Sequence, residues 1–448
     1  MQHIHARTAL LPNGWAKNVR MSWADGRIIK IEVEAKQHPA DEVHGSVLPG
    51  MTNLHSHAFQ RAMAGLAETR GAGADSFWSW RKLMYEFALK MSPDDIEAVA
   101  AQLYMEMLEQ GFTRVGEFHY LHHDPDGRPY DNIAEHATRI AAASAETGIG
   151  LTLLPVFYAH AGFGSLPPHE GQRRLVNSMS QFESLFAASA AAIAKLPGAN
   201  IGIAPHSLRA VAPDELKTLI AMARGLPIHI HVAEQTQEVE DCLLWSGARP
   251  VQWLLDNALV AKNWCLIHAT HMTDLEIRRL AQSGAVAGLC PITEANLGDG
   301  IFPAQAFLEA GGRFGVGSDS NVQISLPGEL RQLEYSQRLQ GRARNVLAEP
   351  NASNGRYLYQ QALHGGAAAL GQNAGLAPGN AADFLSLDVG EFPYLAEDKL
   401  LDYWLFTDRY KVDCVWVHGR KHVDQGRHQH REAINTRYLA TMKQLLEY

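Results

Sequence analysis

The chain has 448 residues, 46% of them hydrophobic and 19% charged, with 39 basic side chains against 48 acidic ones and a net charge of −9. That length fits one barrel-sized unit plus a smaller one, with enough apolar residues for a sizeable core. The acidic balance argues against broad electrostatic binding to nucleic acid or to an anionic membrane surface.

No apolar run is long enough to cross a bilayer, and the opening MQHIHARTALLPNGW lacks the basic region and apolar core of a signal peptide. A cytoplasmic protein is expected. Cys242, Cys265, Cys290 and Cys414 are far apart in sequence and read as reduced, buried thiols rather than a disulfide framework. The 22 histidines are a reason to look for metal chemistry.

In chain order, residues 1–48 contain the strand-like pieces IHARTALL and GRIIKIEV around turns. From Pro49 onward, eight short apolar runs recur: 46–57, 113–120, 150–158, 200–208, 227–234, 264–270, 285–293 and 314–320. Segments with helical periodicity separate them. One is SPDDIEAVAAQLYMEMLEQG (92–111), with Ser-Pro at its start and Gly at its stop; another is the Ala-rich SLFAASAAAIAKL (184–196). Residues 376–426 return to short strand-like pieces, LAPGNAADFLSLD and VDCVWVHGRKHVDQG. Eight strands alternating with helices predict an α/β fold, a (β/α)8 TIM-like barrel over 49–371. The two strand-rich ends, 1–48 and 372–448, are expected to build a small β-sandwich together.

In such a barrel, function collects at the C-terminal ends of the strands. His55 and His57 stand two apart at the end of the first run, so their imidazoles point to one face and can reach one ion. His231 closes the fifth run with Glu234 three residues on, His268 closes the sixth and Asp319 the eighth. Imidazoles with one carboxylate suit a divalent ion such as zinc or iron, with a position left open for water.

This pattern closely resembles the amidohydrolase superfamily, over nearly the whole chain. The resemblance implies His55, His57, His231 and Asp319 as metal ligands. Binuclear members carry a bridging lysine at the end of strand three or four. Here those ends read LLPVFY and APHSL, so one ion per chain is expected, zinc or else iron. The words HVAE resemble the deaminase branch, with Glu234 as an acid/base. His229 lies one layer deeper and reads as a hydrogen-bonded core histidine.

Finer words, PGMTNLHSHAFQRAMAGL, PHSLRAV, HVAEQ, CPITEANLGDGIFP and GVGSDSN, resemble the formimidoylglutamate deiminase family. CPITEANLGDG is the most distinctive of them. The resemblance implies hydrolysis of N-formimino-L-glutamate to N-formyl-L-glutamate and ammonia, in histidine degradation. A substrate with two carboxylates needs cations, and Arg81, in the long loop after strand one, and Arg209, just beyond strand four, can offer bidentate guanidinium contacts; taken alone, either reads equally well as a surface arginine. The resemblance places both at the substrate, together with Gln60, Tyr120 and His206.

The mechanism implied is attack of an activated water on the formimino carbon. Asp319 serves as ligand and base, Glu234 as proton shuttle, and His268 orients the water or polarises the intermediate. The rival readings are a mononuclear deaminase of guanine, a cytosine-like ring or a triazine, and a non-catalytic scaffold that has kept the fold. A homodimer is expected, and no motif points to nucleic acid.

Overall fold

A computed structural model of the chain describes residues 1–70, 76–390, 394–407 and 409–447. The N-terminal stretch supplies strands β1 (Gln2–Leu11), β2 (Gly14–Ala24), β3 (Arg27–Glu32) and β4 (Glu42–Pro49). The eight predicted apolar runs follow. They give β5 (Met51–Ser56), β6 (Phe112–His119), β7 (Gly150–Phe157), the two short pieces β8 (Asn200–Ile201) and β9 (Ala204–Pro205), β10 (Ile228–Val232), β11 (Trp264–His268), β12 (Val286–Leu289) and β13 (Arg313–Val316). The C-terminal stretch adds β14 (Phe384–Asp388), β15 (Lys411–Val417), β16 (Arg420–Asp424) and β17 (Arg427–His428).

The ends of the chain do assemble together, as one continuous sheet of order β17-β16-β15-β14-β4-β1-β2-β3. The expected two facing layers are not seen. The reason is β4, which pairs parallel with β1 and antiparallel with β14, so the two terminal halves join edge to edge. This sheet has its own core, with Ile4, Val19, Met21, Val47, Phe384 and Trp416 among its buried residues. The Phe384 and Trp416 rings stack at 4.5 Å.

The central strands are all parallel. They form one sheet of β5-β6-β7-β8 with β9 beside β7, and a second of β10-β11-β12-β13. Strands β6, β7, β10, β11 and β12 are buried along their whole length, as parallel strands covered on both faces must be. The two sheets touch along both edges through the isolated parallel bridges Ser56↔Asp319, Ile203↔Ile228 and Ser207↔His231. A closed ladder was expected; among the described residues the contact at these edges is by single bridges. The fourth run supplies only two two-residue strands around Gly202. A Cβ on that glycine would stand 2.5 Å from Leu154 Cδ2 and 2.7 Å from the Pro227 carbonyl.

Leu54 fills the space between the sheets directly beneath His55. Cβ atoms on Gly288 and Gly315 would approach its methyl groups to 2.9 and 2.4 Å, so β12 and β13 need glycine at these points.

The helix expected over 92–111 is Pro93–Glu109. Ser92 Oγ accepts from Asp95 N at 3.2 Å, and the Asp95 carboxylate accepts from Ser92 N at 2.9 Å, a capping box with Pro in the first turn. The Ala-rich helix runs Met179–Ile193, five residues earlier in its start than the Ala run (184 − 179 = 5). Ser178 caps it there by accepting from Gln181 N at 3.3 Å. The four cysteines are free and buried.

Candidate metal centre and active site

His55 lies within β5 and His57 one residue beyond it; His231 is on β10 and His268 ends β11. Asp319 stands three residues past β13. Its backbone is clamped to the first strand from both sides: Asp319 N donates to the His55 carbonyl at 3.0 Å, and His57 N donates to the Asp319 carbonyl at 3.1 Å. Asn53 and Asn321 add to this clamp. Asn53 Oδ1 accepts from Ser318 N at 3.1 Å, and Asn321 Nδ2 donates to the His57 carbonyl at 3.0 Å. Ala233, His268, Ala269, Asp319 and Asn321 all have φ between 46° and 67°. Left-handed backbone is costly for non-glycine residues, and it gathers here at the strand ends that carry the candidate site.

The four expected ligands converge. His55 Nε2 lies 3.2 Å from His57 Nε2 and 3.1 Å from His231 Nε2. Asp319 Oδ1 lies 3.2 Å from His55 Nε2 and 3.1 Å from His57 Nε2. His57 Nδ1–H donates to the Phe118 carbonyl at 2.9 Å, and His231 Nδ1–H to the His206 carbonyl at 3.0 Å. A carbonyl only accepts, so each neutral ring has its proton on Nδ1 and a lone pair on Nε2. Lone pairs and a carboxylate oxygen crowded together without protons repel, unless a cation lies among them. The separations suit one: tetrahedral bonds of about 2.0–2.1 Å place neighbouring ligand atoms roughly 3.3 Å apart.

The electrostatics agree. Burial pushes the His55 imidazole down to about 3, and burial with the neighbouring His55 and His206 lowers His231 well below its usual range. Both rings are therefore held neutral, as ligands must be.

One pocket opens onto this cluster, and every predicted site residue except His55, which lies beneath it, lines the pocket. Glu234 Oε1 is 3.7 Å from His268 Nε2, and Glu234 Oε2 is 3.8 Å from an Arg209 guanidinium nitrogen. Burial pushes the Glu234 carboxyl up against the pull of His268 and Arg209, which makes it a better proton acceptor than a free carboxylate, as a proton shuttle requires. On His268 burial acts downward, but Glu234 beside it and the Glu294 carboxylate outweigh it and raise the ring to about 10. Gln60 Nε2 donates to Tyr120 Oη at 2.7 Å, which leaves Gln60 Oε1 buried and without a partner.

Arg81 is not in a loop. It sits on a helix, Phe77–Lys90, started by the Ser76 N-cap. Its Nε donates to Tyr85 Oη at 2.8 Å and a terminal nitrogen to Tyr158 Oη at 3.0 Å. Trp78 stands between the two arginines, with Arg81 5.7 Å and Arg209 5.9 Å from its ring centroid. His229 is the core histidine expected, fully buried with Nε2–H donating to the Ala369 carbonyl at 2.8 Å.

Sequence reasoning missed Tyr85, Tyr158 and Glu294. Tyr158 had a signal, being the last residue of the third apolar run. Glu294 lies within CPITEANLGDG and receives a hydrogen bond from His268 Nδ1 at 3.3 Å. Tyr85 had none, because it reaches the pocket only by being one helical turn from Arg81.

The amidohydrolase family model matches residues 46–421. The model described as the formimidoylglutamate deiminase HutF N-terminal domain matches residues 1–45. The chain is 52% identical to formimidoylglutamate deiminase of Pseudomonas aeruginosa, with 100% of both chains covered. It resembles the crystal structure of an amidohydrolase from Brucella melitensis at 56% identity and a TM-score of 0.98, covering 100% of each chain. A likeness of fold extends to an adenosine deaminase from Xanthomonas campestris with bound zinc, at 19% identity and a TM-score of 0.83, covering 100% of this chain and 99% of that one.

Proposed function

The chain belongs to the amidohydrolase family, and from that premise we propose that it hydrolyses N-formimino-L-glutamate to N-formyl-L-glutamate and ammonia, as a deiminase of histidine degradation. The observation that carries the reading is the pairing of Arg81 and Arg209 in the wall of the pocket that holds Glu234, His268 and Asp319. Two guanidinium groups match the two carboxylates of a glutamate derivative. A planar ring without carboxylates would leave Arg81 without an anion and Arg209 with Glu234 alone. The relative from Pseudomonas aeruginosa carries the name of this same activity.

His55, His57, His231 and Asp319 would hold one divalent ion, zinc or else iron. When bound, that ion supplies a water whose pKa is lowered towards neutrality. Gln60, Tyr120 and His206 line the pocket beside the two arginines and would orient the substrate. The substrate's amidine is cationic, so the anionic Glu234 and Asp319 favour its presence. Asp319 takes a proton as water adds to the formimino carbon. Glu234, within reach of both Arg209 and His268, carries a proton to the leaving nitrogen. His268 Nε2 faces the oxygen of the tetrahedral carbon. Collapse releases ammonia and leaves the N-formyl oxygen in place of nitrogen.

The unit that does this would be the (β/α)8 barrel of 49–371, its two parallel sheets meeting at the strand ends that bear Asp319 and His231. Residues 1–48 with 372–448 would form the smaller domain, a reading supported by the joining of β4 to β1 and β14. No helix among the described residues is long and apolar enough to cross a membrane; a cytoplasmic homodimer is proposed. Leu244 and Leu259, 86% and 88% exposed, are apolar surface for a second copy to cover.

The test is ammonia release by the purified chain. N-formimino-L-glutamate should be hydrolysed well ahead of guanine, cytosine and a chlorotriazine, with about one ion per chain by metal analysis. Preference for a ring substrate would overturn the reading.

A further inference from the structure

Within the motif CPITEANLGDG, Pro291–Leu297 forms a short helix after β12, and no step above uses it. It is braced against the metal-side strand ends. Thr293 Oγ1 donates to the Ser318 carbonyl at 3.1 Å and lies 3.0 Å from Ser320 Oγ, the residues on either side of Asp319. Ile292 N donates to the buried Glu329 carboxylate at 2.9 Å. The helix is therefore fixed relative to the ligand set. From it Glu294, only 4% exposed, directs its carboxylate at the back of His268.

His268 has two faces. Nδ1 lies 3.3 Å from Glu294 Oε1, and Nε2 lies 3.7 Å from Glu234 Oε1 on the pocket side. A ring N–H donates and a carboxylate oxygen accepts, so His268 Nδ1–H donates to Glu294 Oε1. That bond fixes the ring's rotation and leaves Nε2 as the one nitrogen presented to the reacting centre. The imidazole is stacked on His231 at 5.6 Å and, among the described residues, makes no other side-chain hydrogen bond.

We propose that Glu294 is a positioning residue of the reaction: through His268 Nδ1 it holds the imidazole with Nε2 aimed between Glu234 and the attacked carbon. It touches neither substrate nor ion. It acts as the carboxylate behind a catalytic histidine does wherever the ring's orientation has to be kept. The proposal rests on the deiminase reading, because it supposes that His268 acts in the chemical step.

Glu294 Oε1 also accepts from Cys290 N at 3.0 Å, so a purely structural role is the competing account, and the experiment must separate the two. Glu294→Gln, His268→Gln and the double variant are compared on N-formimino-L-glutamate, reading kcat and KM separately, with metal content and the unfolding midpoint of each chain. Glu294→Gln is expected to lower kcat about a hundredfold while KM stays within about threefold and the ion is retained. In the His268→Gln background the same substitution is expected to cost less than about threefold more, because its only route is already gone.

A kcat within threefold of the unsubstituted chain would overturn the proposal. So would an equal loss in both backgrounds, the mark of a structural residue. If Glu294→Gln does not fold, Glu294→Asp takes its place in the same cycle; it keeps the charge but draws the carboxylate back from Nδ1, and full kcat there would also overturn it. Absence of ammonia from the unsubstituted chain would refute the substrate, not the dyad. The cycle is then run on the substrate that the panel identifies, with the same factors expected.

Discussion

At the scale of single residues, the proposed site has groups that would hold an ion and groups that would move protons or bind charge, with Asp319 in both. Glu234 belongs to the second set: its oxygens face His268 and Arg209, and it is not in the converging ligand cluster. Glu234→Gln should therefore keep the metal, by direct metal analysis, and lose turnover on the order of a hundredfold or more. Near-normal turnover would remove it from the mechanism. The arginines give a sharper test. Replacing Arg81 or Arg209 with Met leaves a substrate carboxylate without its partner, at roughly 2–5 kcal/mol, or about thirtyfold to several thousandfold in kcat/KM. A formimino derivative of an amino acid with one carboxylate should be a poor substrate for the unsubstituted chain. It should lose little more when the arginine that met the missing group is gone. A surface arginine would leave both substrates unaffected, and a structural one would harm both equally.

At the scale of elements, the eight apolar runs were legible because each is a short hydrophobic stretch ended by a polar residue, and each became a strand or, at 200–208, a pair of short ones. The ligands were legible because His55 and His57 stand two apart at a strand end. What could not be read depends on pairings between distant parts of the chain. The joining of β4 to β14 brings together segments that nothing local marks as neighbours, so one continuous sheet could not be told from two facing layers. The helix Phe77–Lys90 has neither the Ser-Pro start nor the Gly stop that mark 92–111, so the sequence alone leaves Arg81 in a loop. Another such pairing lies under the first strand. Glu117 on β6 accepts from Ala58 N at 2.6 Å and from Tyr104 Oη at 3.0 Å, tying the short 3-10 helix Ala58–Met63, which carries Gln60, to the helix Pro93–Glu109. Glu117→Ala strands that buried N–H, at about 1–3 kcal/mol. The expected result is a lower unfolding midpoint together with a raised KM. An unchanged midpoint would mean that the element is held by packing alone.

At the scale of the whole molecule, a second set of histidines contributes to how the fold responds to acid. His119, His122, His136 and His229 are between 0 and 4% exposed, and none is in the converging ligand set. Burial pushes His119 and His229 down to about 4, and it lowers His122 and His136 well below the usual range. Each is neutral in the folded chain and titrates near 6.5 once unfolded. The unfolded state therefore binds more protons below that value, and stability falls as pH drops from about 6.5 towards 4. By pH 5 the loss from His119 and from His229 is about 2 kcal/mol each. His122 and His136 push in the same direction, and the net stability of a folded chain is only about 5–15 kcal/mol. Buried carboxyls act in the opposite direction, with Glu117 raised to about 7 and Asp299 to about 9, so the histidine share is read as a difference between urea midpoints of the chain and of a histidine variant at pH 7 and pH 5. Acid also releases metal by protonating the ligands, so the series is run on metal-stripped protein with chelator present, where that contribution is absent. There the chain should lose more stability, or gain less, between pH 7 and pH 5 than a variant in which His119 or His122 is replaced by an apolar residue of similar volume that folds. Identical pH profiles for the two in the stripped protein would mean that these rings find protons or partners in the folded chain after all.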